Sequence, residues 1–344
     1  MADTIPDAPP PPTLRDPAPA GRPSPSRARR VAVALSIVVA ALAVGAAAFY
    51  LFFWRYDAVA RRHVPGNANL VVRLEVADVA LFGPVRRHLL PLLLDHPERS
   101  GKKRGDRIRE ATGVDLATDV REVLVASVDA TSWVLIAGGR IKRGGFVDGL
   151  ARLAQEEHWS LRRQGDLLIG PGGVAVGQAD DGTLVVGTDV SLMTAALPAS
   201  DEARRLALPA AGAVTFAVTR QAWSGAAGLA AVAHASVLGR IERASGRMTL
   251  GDAPEVSLTL EPAGGVQAAA LAGELEDLVN ELRLVTMLLP DLVGEKGALG
   301  AARITPSGDR VAITAPWPHE GIDRGCKRLA QLLGGGAHGT DRLP

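Results

Sequence analysis

Residues 132–150 read SWVLIAGGRIKRGGFVDGL. Trp133 to Ala137 is an apolar run of the kind that forms a buried strand. From Phe146 the period changes, and Phe146, Leu150, Leu153 and Glu157 share one side of a helix. A glycine-rich turn between strand and helix is also where backbone amides cradle phosphates. The stretch therefore decides between a nucleotide-binding α/β fold and an architectural turn. Gly139 and Gly144 match G-x-x-x-x-G, but Gly145 and Phe146 stand where a phosphate loop needs lysine and a hydroxyl residue. The dinucleotide pattern G-x-G-x-x-G fails too, because Gly138 and Gly139 are adjacent and Arg140 follows. The run is read as a turn whose glycines accept positive φ.

Working outward, short β-branched runs alternate with amphipathic segments. Residues 64–199 read as a first unit. It holds a strand (NLVVRLEV), a helical stretch broken at Pro91, strands REVLVASV and SWVLIAG, and the helix from Phe146. Hairpins turned at QGD and DDG and a closing helix, SLMTAALPA, complete it. Residues 210–333 repeat that order with AGAVTFAVTR, AAGLAAVAHASVLGRIE, GRMTLGDAPEVSLTLEP, a long helix, a hairpin at PSGD and GIDRGCKRLAQLL. The long helix carries Leu271, Leu275, Leu278, Leu282, Val285 and Leu289 as a core-facing stripe. The expected class is α+β: an N-terminal transmembrane helix followed by two β-α-β-β-α-β-like units with antiparallel sheets. Residues 334–344 read as a flexible tail.

The first 30 residues hold 9 of the 23 prolines and read as a disordered cytoplasmic tail. Val31 to Trp54 is 24 residues without a charge, enough for a helix to span a bilayer core of about 30 Å. Phe49, Tyr50, Phe52, Phe53, Trp54 and Tyr56 read as an aromatic belt at the membrane interface. Arg22, Arg27, Arg29 and Arg30 outweigh Arg55, Arg61 and Arg62 across the span, which predicts a cytoplasmic N-terminus. The expectation is a signal anchor and a single-pass inner-membrane protein with residues 55–344 in the periplasm, its partners the lipid bilayer and an envelope protein.

A net charge of +1 provides no global field for nucleic acid, which is not expected as a partner. Two basic stretches are candidates for partner contact: Lys102, Lys103 and Arg104, and Arg140, Lys142 and Arg143. No aromatics interleave the first of them, unlike a single-strand nucleic-acid site. The seven histidines include no helical metal pair and no H-E-x-x-H, so neither a metal nor a cofactor is expected. G-x-S-x-G does not occur, and Ser224 lacks the preceding glycine of a nucleophile turn. Cys326 falls on an apolar stripe with Ile322, Leu329 and Leu333 and reads as a small core residue. Asp180-Asp181-Gly182 reads as turn chemistry, and Asp115 and Asp119 as caps of a loop. No catalytic residue is assigned.

The segments TGVDLATDVREVLVAS and VLIAGGRIK, together with the Pro-rich lead and one anchor, resemble bacterial single-pass envelope proteins with duplicated ferredoxin-like α+β units. That resemblance supplies no active site to carry over. The expected function is an envelope protein whose extracytoplasmic region serves as a non-enzymatic interaction or structural module. The alternatives are a binder of lipid or another small apolar ligand held between the two units, and an enzyme with a site gathered from scattered residues such as His158, Arg162 and Arg163.

Overall fold

The computed structural model describes residues 58–95, 101–129, 131–201, 205–224, 235–287, 291 and 293–335, all in one unit. A 3-10 turn, Val59–His63, leads into β1 (Leu70–Glu75). Three short helices follow: α1 (Val76–Leu81), α2 (Gly83–His88) and α3 (Leu90–Leu94). The interruptions fall at Phe82 and Leu89. Pro84 and Pro91 sit in the first turns of α2 and α3, where a missing N–H costs nothing. Pro91 thus opens a helix and does not break one. The first basic stretch leads into α4 (Arg104–Thr112), stopped by Gly113 in the left-handed region.

The chain continues through β2 (Val120–Ser127), β3 (Trp133–Gly139) and α5 (Phe146–Glu156). Next come β4 (Arg162–Gln164), β5 (Leu167–Ile169), β6 (Ala175–Gln178), β7 (Leu184–Gly187) and α6 (Val190–Ala196). The remainder is β8 (Val214–Thr219), α7 (Arg220–Ser224), a 3-10 turn at Ala235–Arg240, β9 (Ile241–Thr249) and β10 (Glu255–Pro262). Then follow α8 (Ala268–Met287), α9 (Glu295–Ala301), β11 (Arg303–Ser307), β12 (Arg310–Pro316) and α10 (His319–Gly335).

The twelve strands form one antiparallel sheet in the order β11-β12-β10-β9-β8-β1-β2-β3-β7-β6-β5-β4. Its centre is the β1–β8 pair, with Val72 opposite Phe216. Outward from that pair the order is the same on both sides: β2 matches β9, β3 matches β10, and hairpin β6–β7 matches hairpin β11–β12. Two ferredoxin-like units with separate sheets were expected, and this is corrected. A ferredoxin-like unit needs helices that cross over to parallel strands. Here the connection through α1–α4 returns the chain antiparallel to the adjacent strand, β1 to β2. Hydrophobic period identifies an element's type and face but not its neighbour. The two halves join edge to edge in one continuous sheet and do not face each other as two packed sheets.

Among the described residues no helix is long and apolar enough to cross a membrane. Helix α8, at 20 residues, carries Glu274, Glu276, Asp277 and Glu281. The expected fold with a transmembrane helix, the signal anchor and the single-pass inner-membrane placement are corrected on that finding. Val31–Trp54, the belt from Phe49 to Tyr56, and the tail at 1–30 lie outside the described residues, as does the C-terminal tail from 336 onward.

Strand alternation divides the core between the two faces of the sheet. On one face Val71, Leu124, Ala126, Val134, Ile136 and Val185 pack under the 59–63 turn, α6 and Leu206. The opposite face packs Val123, Leu135, Ala137 and Leu184 beneath Phe146 and Leu150 of α5. Farther along that same opposite face, Ala244, Leu260 and Val311 lie beneath Leu271 and Leu275 of α8. The core-facing stripe of α8 holds for its first turns only, and Val285 is 48% exposed. The expected core stripe of α10 likewise runs out: Leu329 and Leu333 are 46% and 61% exposed.

Candidate functional site

Two polar clusters lie under the first face's covering. The 59–63 turn lays His63 into the core, 2% exposed. Its Nδ1 is 2.8 Å from the Ala196 carbonyl and its Nε2 2.9 Å from Asp181 Oδ2. A carbonyl oxygen and an ionised carboxylate both only accept, so both ring nitrogens stand in donor positions. Asp181 Oδ1 accepts from the Thr183 N–H at 2.9 Å. Burial alone would raise the Asp181 carboxyl, but the hydrogen bonds from His63 and Thr183 outweigh it and hold the carboxyl below its ordinary value. Both imidazole nitrogens are consumed, so the pair resembles a catalytic dyad in composition only. It clasps the entry turn to the β6–β7 turn and to the end of α6. The turn reading of Asp181 accounts for one carboxylate oxygen. The other reaches a histidine 118 residues away.

Beside it, Arg73 Nε donates to Glu122 Oε2 at 2.8 Å, and its terminal nitrogen donates to Glu75. Burial would lower the Arg73 pKa, but the Glu122 bond and charge raise it above its usual value. Arg61 is held lower than usual, first by burial and then by the Arg73 guanidinium. A sequence signal existed for this cluster. In NLVVRLEV and REVLVASV, Arg73 is in phase with the buried Val71, and Glu122 with the buried Leu124 and Ala126. Charges on the inward phase of two strands point to each other. A hollow of about 430 Å³ opens above Arg61, lined also by Arg62, Ser200, Asp201 and Leu208.

The basic candidates are not brought together. Helices α4 and α5 pack antiparallel: a Cβ at Gly149 would fall 2.1 Å from the Ala111 carbonyl, and Arg107 pairs with Glu157. Lys102, Lys103 and Arg104 therefore sit at one end of the pair, and Arg140, Lys142 and Arg143 at the other, roughly 12 Å along the helix direction. Lys102 and Lys103 are each 2.7 Å from a carboxylate, Glu110 and Asp95. The glycine run serves two needs. Gly145 takes φ 91° to start α5, whereas at Gly139 a Cβ would meet the Asp119 carbonyl at 1.8 Å. Arg162 and Arg163 lie on the exposed edge strand β4, and Arg163 pairs there with Asp148 at 2.7 Å. Cys326 is half-buried, and burial followed by the Asp323 charge raises its thiol pKa, which disfavours the thiolate. Among the described residues no group of three or more His, Cys, Asp or Glu forms a metal centre.

Two adjoining hollows lie where α1 and α2 of the first half approach the β9–β10 turn of the second. One, of about 410 Å³, is lined by Asp78, Leu81 and Phe82 from α1–α2, by Leu250 and Asp252, and by His319. The other, of about 320 Å³, shares Asp252 and His319 and adds Pro254, Glu255, Pro316, Trp317 and Pro318. Phe82 and His319 meet edge to face at 5.2 Å. Trp317 is pinned, its indole N–H donating to the Val293 carbonyl at 2.6 Å and its backbone N–H to Pro254 at 2.8 Å.

No family model and no curated protein matches this chain. Among solved structures, one described as "Structure of crystal form I of TP0453" is similar at 12% identity with a TM-score of 0.41. The match covers 80% of this chain and 98% of that one. A likeness at that level transfers neither fold nor function.

Proposed function

We propose that the sheet region is a non-enzymatic interaction module whose partner is a protein and not a nucleic acid. The observation that carries this reading is how the buried charges are used. Both nitrogens of His63 are spent on Ala196 and Asp181, and Arg73 is spent on Glu75 and Glu122. General acid–base or nucleophilic chemistry needs a group held within reach of a reacting atom. These groups face one another instead: the His63 contacts fix the turn at 59–63 onto the sheet, and the Arg73 bond to Glu122 joins β1 to β2. The concavities are open and rimmed by charged side chains, as at Arg61, Asp201, Asp78 and Asp252, which suits a polar macromolecular surface better than a small apolar ligand.

The test is a panel of hydrolase and transferase assays on the purified full chain, run beside cross-linking and affinity capture from native extract. The expected result is no turnover and a reproducible protein partner. A turnover abolished by one polar substitution, at His63 or elsewhere, would overturn the reading.

A further inference from the structure

We propose that the paired hollows around Asp252 and His319 form a docking groove for an extended, proline-rich peptide that carries arginine. The proposal deepens the interaction-module reading and rests on it. The walls are rings and prolines: Phe82 and His319 in contact, and Trp317 between Pro316 and Pro318. Leu81 stands at the rim 73% exposed, an apolar side chain left uncovered by the described residues. A polyproline II segment has three residues per turn and no internal hydrogen bonds, and it arrives already extended. Such segments dock in aromatic-lined grooves at low entropic cost. Two hollows that share Asp252 and His319 suit a ligand that repeats apolar rings along one edge.

Charge selects the second component. Asp78 and Asp252 line the groove, and neither has an ion-pair or hydrogen-bond partner among the described residues. Glu255 adds a third carboxylate, whose one side-chain contact among the described residues is the Ser257 hydroxyl at 3.3 Å. Arginine fits this rim, because its planar fork pairs with carboxylates and its face stacks on rings. Besides a turn, a helix start and helix flanks, the walls take in Glu255 of β10 and Pro316 of β12; these two pair with each other and both strands are flanked on each side, so no free strand edge is offered and strand addition is not the mode. The groove is also preformed. Trp317 is pinned twice, and Asp323 of α10 is held by Arg87 at 2.9 Å and His88 at 3.2 Å of α2. That clamp ties the wall from the first half of the chain to the wall from the second.

The probe is a fluorescein-labelled peptide of Pro-Pro-Arg repeats, titrated by fluorescence polarisation against the full chain. The controls are Ala-Ala-Arg repeats, with equal charge and no proline, and Pro-Pro-Gln repeats, with proline and no charge. Saturable binding is expected, at least about tenfold tighter than either control. The Asp78→Lys/Asp252→Lys double variant, both positions exposed, should weaken it by about tenfold or more while leaving the circular dichroism spectrum unchanged. Equal binding of the Ala-Ala-Arg control, an unaffected charge-reversal variant, or no saturation by about 1 mM overturns the proposal. A chain that ignores the peptide but still captures a partner, without turnover, loses this ligand class and keeps the interaction-module reading.

Discussion

The Arg73 guanidinium, 7% exposed, donates across 2.8 Å to the Glu122 carboxylate, which is wholly withdrawn from water. The bond runs diagonally between β1 and β2, beside the pair that joins the two halves of the sheet. Removing one partner of such a pair strands the other in a dry environment. Glu122→Leu should therefore cost about 3 kcal/mol in urea unfolding. The double change Arg73→Leu/Glu122→Leu should cost less than the sum of the single changes by about 1 kcal/mol or more. Strictly additive costs would mean that the pair is not coupled.

The clasp at His63 makes stability depend on pH at the acid end. The Asp181 carboxyl is lower in the folded chain than in the unfolded one. Its contribution is present above the unfolded value of about 4 and is lost as pH falls through the lower folded value. Asp181→Asn should remove that part of the acid destabilisation, so the urea midpoint of the variant falls less steeply below about pH 4. Parallel profiles for the variant and the parent would deny the clasp any energetic role.

The turn between β2 and β3 holds a carboxyl of a different kind. Asp129 is fully exposed, yet its pKa is lowered to about 2. The main cause is the Thr131 backbone N–H at 2.8 Å, followed by the Thr131 hydroxyl at 2.9 Å and the Ser132 N–H at 2.8 Å. Carboxyl NMR titration should find Asp129 still ionised at a pH where ordinary aspartates have protonated. Thr131→Val removes one donor and should move the pKa upward. A titration at the ordinary aspartate value in the parent chain would rule out the closed turn.

Element types were readable, and partnerships were not. Strands β2 and β3 and helix α5 follow directly from period, and the hairpin turns fall where Gly165, Gly182 and Gly308 permit positive φ. Period says nothing about which edge meets which. The β1–β8 junction, with Arg73 opposite Thr215, could not be read from alternation. The long Ala- and Val-rich run before β9 made Ile241 and Glu242 look helical, although they begin a strand. Arg73 and Glu122 advertised themselves by phase, whereas His63 and Asp181 gave no local sign, since one lies in a turn and the other looks like ordinary turn chemistry. The groove at His319 is assembled from three segments far apart in sequence, each of them unremarkable alone.

Close helix packing supplies a fourth expectation. At Gly149 a Cβ would fall 2.1 Å from the Ala111 carbonyl, so Gly149→Ala must push α4 and α5 apart. The expected cost is about 2 kcal/mol, within the range for overpacking. Gly144 meets open space but holds φ 63°, and Gly144→Ala should cost about 1 kcal/mol from backbone strain alone. Because the second change leaves the helix pair intact, only Gly149→Ala should speed hydrogen exchange at the α4–α5 crossing. Equal exchange in both variants would mean that the helices do not approach so closely.

The last expectation concerns the centre of the sheet. β1 and β8 pair along Leu70–Leu74 and Val214–Val218, so each half of the chain presents an unpaired edge when the other is absent. The halves are also tied around the join: Glu75 N–H donates to the Ala213 carbonyl at 2.8 Å, and Thr219 N–H to the Asn69 carbonyl at 2.8 Å. Fragments 58–209 and 210–335, expressed separately, should each self-associate through the bare edge, because an exposed strand edge templates pairing. Co-expressed, they should elute as one heterodimer, since the native partner also restores the Val72–Phe216 register and the packing beside it. A Val72→Pro change in the first fragment, which introduces a ring and deletes an N–H within β1, should abolish that recovery. Two fragments that remain folded monomers and ignore each other would show that the halves are independent domains, and the continuous sheet would have to be abandoned.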